Sequence, residues 1–108
     1  MFNLDNSTMI WHARLEGELT IYHAFELYQA LSSANMGEAP LDLDLGQVSL
    51  VDSSGVQLLV LLKKVFARHH QELRIVTCSE AVKDAVGLFG LNGFFGLTAV
   101  PVTKGTSE

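Results

Sequence analysis

The polar residues best suited to chemistry form the short stretch DSSG, residues 52–55, between two apolar segments. The segment before it, residues 41–51, is predicted to be a strand, and the segment after it is predicted to be a helix over residues 54–70. An acid and two hydroxyls at such a junction cap a helix well, because their oxygens accept hydrogen bonds from first-turn amides that lack partners. The same amides and the helix dipole also favour a bound phosphate.

A phosphate on a serine of this stretch would experience two opposing forces. The helix amides would donate hydrogen bonds to it, while the adjacent carboxylate of Asp52 would repel it. A site that is electrostatically balanced can be switched in both directions. A helix cap and a phosphorylation switch are therefore two compatible interpretations of the same residues.

Catalytic interpretations of the stretch fail because the partner residues are missing. A nucleophile elbow requires the pattern G-x-S-x-G around its serine, whereas the sequence here is V-D-S-S-G. A phosphate-binding loop requires glycines and a lysine ahead of the helix, and these are missing as well. None of the four histidines has an orienting acid that the sequence identifies. We therefore expect no catalytic residue, no cofactor and no enzymatic activity.

Two adjacent histidines and one cysteine are the remaining candidate groups. His69 and His70 stand at the predicted end of the helix, where neighbouring side chains point about 100° apart, an unfavourable geometry for one metal ion. A solvated helix C-terminus, at which positive charge is favoured, explains the two histidines better. Cys78 is more typical of a small buried residue than of a nucleophile. We expect no metal site.

The composition of the chain restricts the classes of partner that it can bind and the cellular compartment in which we expect it. The chain has 108 residues, 48% of them hydrophobic, which suits one domain with a core. Its formal net charge of −5 argues against nucleic acid, because binding to phosphate backbones requires a basic patch. A single cysteine excludes an internal disulfide and fits a reducing cytoplasm. The N-terminus lacks the features of a signal peptide, and no apolar run approaches ~20 residues. We expect a soluble cytoplasmic protein that does not insert into membranes.

Hydrophobic periodicity predicts the elements of the first half of the chain. Residues 8–16 alternate between two faces and predict a half-buried strand. Gly17 is predicted to turn the chain into a second strand over residues 18–22, which makes a tight hairpin. A helix is predicted to begin at His23. The strand over residues 41–51 is predicted to be irregular in its middle, at Gly46-Gln47.

The second half alternates strand and helix again. Residues 72–78 predict a short strand, and Ser79 is predicted to cap the helix that follows. Gly90 and Gly93 are predicted to end that helix before a last strand over residues 94–100.

Strand–helix–strand units of this length imply parallel strands joined by right-handed crossovers. The predicted fold class is α/β, with a mixed sheet of four to five strands packed with about three helices. We expect a single domain, residues 1–108, with its core at about 9–100 and a loose tail at 101–108.

Three segments together resemble the STAS domain, in particular the bacterial anti-sigma factor antagonists. They are LEGELTIYHAFELYQAL at 15–31, LDLDLGQVSLVDSSGVQLLVLLKK at 41–64 and LRIVTCSEAVKDAVGLFGL at 73–91. The D-S-S-G turn between strand and helix is the specific part, and the G-E-L turn and the L-F-G-L motif support it. The resemblance covers residues 9–100 and implies the STAS fold.

The resemblance also implies a function in partner switching. In antagonists the serine directly after the aspartate is phosphorylated by a partner kinase, and that role falls on Ser53. The unmodified protein binds a serine-protein kinase or anti-sigma factor, the phosphorylated form releases it, and a phosphatase restores the first state. The implied partner-binding residues are Asp52, Ser53, Ser54, Gly55, Val56 and Thr20. Thr20 departs from the family, because many antagonists carry an aspartate there.

A different function is implied by other members of the same family. STAS domains also occur as non-catalytic subunits, such as the small cytoplasmic partner of the bacterial phospholipid-transport ATPase, and in chemotaxis and signalling complexes. A constitutive subunit without phosphorylation is therefore the alternative function. The helix over residues 54–70 carries more apolar residues than one sheet buries, so its excess either packs on a neighbouring helix or forms a docking edge beside Ser53.

Overall fold

The fold is a mixed five-stranded sheet packed with helices. The computed structural model describes residues 2–5, 9–33, 37–97 and 100–103. The elements are β1 Phe2–Asp5, β2 Trp11–Leu19, α1 Ile21–Ser33, β3 Leu41–Val51, α2 Ser53–Arg68, β4 Leu73–Ser79, α3 Glu80–Leu88, α4 Asn92–Phe95 and β5 Val102–Thr103. The strand order is β1-β2-β3-β4-β5, with β1 antiparallel to β2 and the remaining pairs parallel. The predicted α/β class with a mixed sheet is confirmed.

Two local predictions, the irregular centre of β3 and the cap of α3, are confirmed. The pairing of β3 with β2 shifts register on both sides of the segment around Gly46-Gln47, as the broken alternation predicts. Gly46 is buried there, and its amide donates to Oδ1 of Asp44 at 2.9 Å. Ser79 caps α3, since its hydroxyl accepts a hydrogen bond from the amide of Val82 at 3.2 Å.

The predicted hairpin around Gly17 is wrong. β2 continues through Gly17 to Leu19 and pairs in parallel with β3 along this length. Gly17 has a φ of +90° and lies between two register shifts. Its positive φ is therefore part of the irregular pairing between β2 and β3 and does not form a turn that reverses the chain. The helix α1 begins at Ile21, inside the predicted second strand, and the antiparallel neighbour of β2 is the preceding strand β1.

The C-terminal prediction is also wrong within the described residues. Phe94 and Phe95 belong to α4, which ends at Phe95 and has Gly96, with a φ of +66°, as its C-cap. Residues 98–99 of the predicted strand lie outside the described part. The edge strand is instead β5, which pairs with the end of β4. It falls in the predicted loose tail, of which residues 104–108 also lie outside the described part.

The core lies on the apolar side of the strands. Along β2 the side chains of Ala13 and Leu15 are buried while those of His12 and Arg14 are exposed, which matches the predicted alternation. One hydrophobic cluster joins these residues to the fully buried leucines of β3 and to apolar side chains of α1, α2 and α3. None of the described helices combines the length and apolar character that crossing a membrane requires.

Burial explains most of the apolar excess of α2. Its buried residues are Gly55, Val56, Leu58, Leu59, Leu62 and Phe66. The helix contacts β3 and β4 and also both neighbouring helices, α1 and α3, so a wider stripe than one sheet could cover is buried. Leu61, with 45% of its surface exposed, is the large apolar side chain of α2 that remains at the surface.

Substitution of Leu59 by alanine tests this packing. Leu59 is fully buried, so Leu59→Ala should lower the free energy of unfolding by about 2–5 kcal/mol through lost contacts and a residual cavity. The matched control is Leu61→Ala, which removes the same atoms from an exposed site of the same helix and should cost no more than about 0.5 kcal/mol. Urea denaturation of both variants measures the difference. Equal losses in the free energy of unfolding would contradict the assignment of Leu59 to the buried face of α2 and of Leu61 to its exposed face.

Candidate functional site

The carboxylate of Asp52 holds the first turns of two helices. Asp52 is the N-cap of α2, and its Oδ1 accepts a hydrogen bond from the amide of Gly55 at 3.0 Å. Its Oδ2 accepts a hydrogen bond from the amide of Ile21, the first residue of α1, at 3.3 Å. A negative charge therefore sits where the positive ends of two helix dipoles meet.

Sheet topology brings these two helix starts together. β2 and β3 are parallel neighbours, and Leu19 lies beside Val51 in register at their carboxyl ends. Each strand is followed almost immediately by a helix, so α1 and α2 begin at the same edge of the sheet. The amide of Asp52 donates to the carbonyl of Leu19 at 3.4 Å, which connects the two strand ends directly.

Gly55 permits the close approach of α2 to β2. A Cβ atom at Gly55 would lie 2.2 Å from the carbonyl oxygen of Leu19 and 3.1 Å from side-chain atoms of Leu19 and Val51. Because a backbone oxygen cannot move aside as a flexible side chain can, only glycine fits at this position. The glycine of the D-S-S-G stretch is thus required by helix–strand packing.

The structure separates the two serines by exposure. Ser53 is the first residue of α2 and is exposed, whereas Ser54 is half-buried. The sequence predicts that the helix begins at Ser54, whereas α2 begins at Ser53 and its N-cap is Asp52. The hydroxyl of Ser53 makes no hydrogen bond to any other described residue, and the residue is exposed at the surface.

Three of the residues implied as partner contacts are buried, namely Gly55, Val56 and Thr20. Val56 is 2% exposed and Thr20 is 8% exposed, so neither side chain forms part of the surface around Ser53. Thr20 instead directly precedes α1, and its carbonyl accepts hydrogen bonds from the amides of His23 and Ala24. Its hydroxyl is buried and has no hydrogen-bond partner among the described residues.

An apolar groove lies beside Ser53, but α3 and the end of β3 form most of it, and not the apolar edge of α2 that the sequence offered as an alternative. It has a volume of about 590 Å³ and lies between the end of β3, the start of α2 and α3. Its lining consists of Leu50, Val51, Asp52, Ser53, Ala81, Asp84, Ala85, Leu88 and Phe89. Leu88 is 85% exposed, and Leu50 and Phe89 are each 50% exposed. The sequence signal for this surface was weak: Leu88 falls outside the helical stripe formed by the buried residues Val82 and Val86.

The other candidate groups do not form a site. Cys78 is fully buried, and burial raises the pKa of its thiol, an effect that the charge of Lys83 opposes only in part. His69 and His70 are exposed and follow the end of α2, as predicted. Within the described residues, no group of three or more His, Cys, Asp or Glu side chains is arranged to hold a metal ion.

Comparison with protein families decides the classification. A family model described as "Mlab, STAS domain" matches residues 9–100 of the chain. The chain belongs to the STAS domain family. A comparison with curated protein sequences finds no match.

Solved structures with the same fold include anti-sigma factor antagonists. Unphosphorylated SpoIIAA superposes with a TM-score of 0.72 at 22% identity, covering 99% of this chain and 90% of SpoIIAA. The phosphorylated form of SpoIIAA from Bacillus gives 0.67 at 21% identity, covering 99% and 93%. An antagonist from Mycobacterium paratuberculosis gives 0.73 at 17% identity, covering 95% and 84%. These likenesses confirm the predicted STAS fold.

Replacement of Gly55 by alanine tests the helix–strand contact. Gly55→Ala should lower the free energy of unfolding by about 1–3 kcal/mol, because the new methyl group collides with the Leu19 carbonyl and displaces the start of α2. Gly93→Ala is the matched control, since a Cβ at Gly93 meets nothing within 4 Å. We expect the control to change stability by less than about 1 kcal/mol in thermal or urea unfolding. A Gly55→Ala protein as stable as the control would contradict this packing.

Proposed function

We propose that this STAS domain is a cytoplasmic protein-interaction module that works by partner switching, as an anti-sigma factor antagonist does, with Ser53 as its phosphoacceptor. The observation that carries the proposal is the exposed Ser53 hydroxyl at the first turn of α2, between the Asp52 carboxylate and an apolar groove. The likeness to SpoIIAA structures of both phosphorylated and unphosphorylated forms supports it. The partners we propose are a serine-protein kinase or anti-sigma factor and a phosphatase, and the domain itself is not an enzyme.

The fold should tolerate a phosphate on Ser53. The backbone amides of Ser53 and Ser54 have no hydrogen-bond partner among the described residues, so they are available to an anionic oxygen at the start of α2. A helix N-terminus stabilises a nearby negative charge by roughly 0.3–1 kcal/mol. The carboxylate of Asp52 opposes this gain, but it is itself held by the amides of Gly55 and Ile21 and stays in place.

The same phosphate should disrupt a protein interface over the groove. It adds about −1.5 to −2 charges beside Asp52 at neutral pH. A partner that covers Leu50, Leu88 and Phe89 would have to desolvate this charge against apolar surface. An unpaired charge there costs several kcal/mol, and about 2.8 kcal/mol already corresponds to a hundredfold loss of affinity. Ser53 therefore controls association and leaves folding nearly unchanged.

Phosphopeptide mapping tests the assignment of the phosphoacceptor. The protein is incubated with the kinase that co-purifies from the native cytoplasm, and modification is expected on Ser53 because Ser54 is half-buried. Ser53→Ala should abolish the modification, and Ser54→Ala is the matched control that should retain it. Phosphate found only on Ser54 would overturn the assignment.

Calorimetric affinity measurements test the switch and its surface together. Genuinely phosphorylated protein should bind the kinase or anti-sigma factor about a hundredfold more weakly than unmodified protein, with both forms melting at similar temperatures. Leu88→Ser should weaken binding of the unmodified protein by about tenfold or more, since it removes an apolar contact of the groove. Met9→Ser is the control, because Met9 is equally exposed, at 84%, and does not line the groove.

A constitutive subunit of a transport ATPase or signalling complex is the second candidate function. The observation in its favour is the family description, which names Mlab and not an antagonist. A constitutive subunit would use the same groove without modification of Ser53. Equal partner affinity of phosphorylated and unmodified protein would therefore exclude switching and favour this second function.

A further inference from the structure

A second cavity lies between α1 and the sheet, away from the groove. It has a volume of about 250 Å³. Residues 15–19 of β2 line one side of it, and His23, Glu26, Leu27 and Ala30 of α1 line the other. A cavity of ~150 Å³ with aliphatic walls is large enough to bind benzene, so this one accommodates a ring with a short side arm.

The irregular pairing of β2 with β3 accounts for the cavity. The register shifts twice, between Arg14 and Glu16 and between Gly17 and Glu18, and both shifts fall at the cavity wall. Bulges bend and twist a sheet, whereas α1 is a continuous helix of 13 residues. We attribute the space to these two register shifts in the sheet beneath the continuous helix α1.

One polar group at the cavity lacks a partner. His23 lines the cavity, and its Nδ1 atom is buried without a hydrogen-bond partner among the described residues. A buried polar atom without a hydrogen-bond partner is unfavourable, so a ligand that supplies the missing hydrogen bond gains affinity. His23, Glu26, Leu27 and Ala30 follow each other at helical spacing and present one stripe of α1 to the cavity.

The charge at the cavity selects the class of ligand. Glu18 and Glu26 are exposed lining residues and therefore lie at its mouth. A third lining acid, Glu16, is already paired with Arg14 at 3.4 Å. No lysine or arginine is among the lining residues, and a cleft with charges of one sign concentrates ligands of the opposite sign.

We propose that this cavity binds a small primary amine with an apolar body, such as an arylalkylamine. The aliphatic walls from Leu15, Leu19, Leu27 and Val48 enclose the apolar body. The ammonium group has three N–H donors, which suit the carboxylate of Glu26 and Nδ1 of His23, the latter as an acceptor in the neutral tautomer that carries its proton on Nε2. The site is separate from Ser53 and does not depend on the function proposed above.

Nuclear magnetic resonance of the full ¹⁵N-labelled chain tests the proposal with two matched probes. Phenethylamine and 3-phenylpropionate share a phenyl ring and a two-carbon arm but carry opposite charges. We expect phenethylamine to shift the amide signals of Gly17, Leu19 and Ala30 saturably, with a Kd of about 1 mM or tighter. 3-Phenylpropionate should bind about tenfold more weakly or worse. Equal binding of both probes would overturn the amine assignment, and no saturable shift with phenethylamine would overturn the site.

Two variants, each with a matched control, test whether phenethylamine binds in this cavity. Ala30→Phe places a ring inside it and should abolish the shifts, while Gln29→Phe adds the same ring at the adjacent exposed residue and should leave them unchanged. Glu26→Gln changes an exposed side chain, so it keeps the fold, and it should weaken phenethylamine binding about threefold or more. Glu72→Gln, at an exposed site outside the cavity, is its control. Unchanged affinity in both Ala30→Phe and Glu26→Gln would place the amine elsewhere.

Discussion

The carboxylate of Asp52 accepts one hydrogen bond from the first turn of α2 and another from the first turn of α1. This pair of bonds is available only because β2 and β3 are parallel neighbours whose carboxyl ends lie at one edge of the sheet. It also requires Gly55, since any larger residue would collide with the carbonyl of Leu19 and push α2 away from β2. The surface around Ser53 takes its shape from this junction.

The junction explains how one residue can control association without controlling folding. The carboxylate of Asp52 is half-buried, and each of its two oxygens accepts a hydrogen bond from a helix amide, so its charge contributes to the fold. The hydroxyl that we propose to be modified, on Ser53, is exposed and contributes no bond to the core. Its neighbours across the groove, Leu88 and Phe89, are apolar and exposed. Charge added to Ser53 therefore acts mainly on whatever covers the groove.

The prediction of the fold was wrong where the local sequence is compatible with two different backbone structures. A glycine with positive φ forms a hairpin turn as readily as it fits a strained position in an irregular ladder, and Gly17 lies in such a ladder. The choice depends on pairing with β3, some thirty residues further along the chain. Phe94 and Phe95 have a high β-propensity, yet they form the short helix α4, where Phe95 is buried in the core. Tertiary packing overrode local preference at both places.

The sequence by itself determined the α/β class, the alternation along β2, the irregular centre of β3, and the cap of α3 by Ser79. Each follows from contacts between residues that are close in the chain, and such contacts leave a periodic or chemical pattern. Only the tertiary structure decided that Val56 is buried while Leu88 is exposed, and that Asp52 joins two helices. Which face of a helix is covered depends on elements that are distant in sequence. For the same reason, the groove beside Ser53 leaves only a weak signal in the sequence, at Leu88, and the lining of the cavity beside His23 leaves no recognisable pattern.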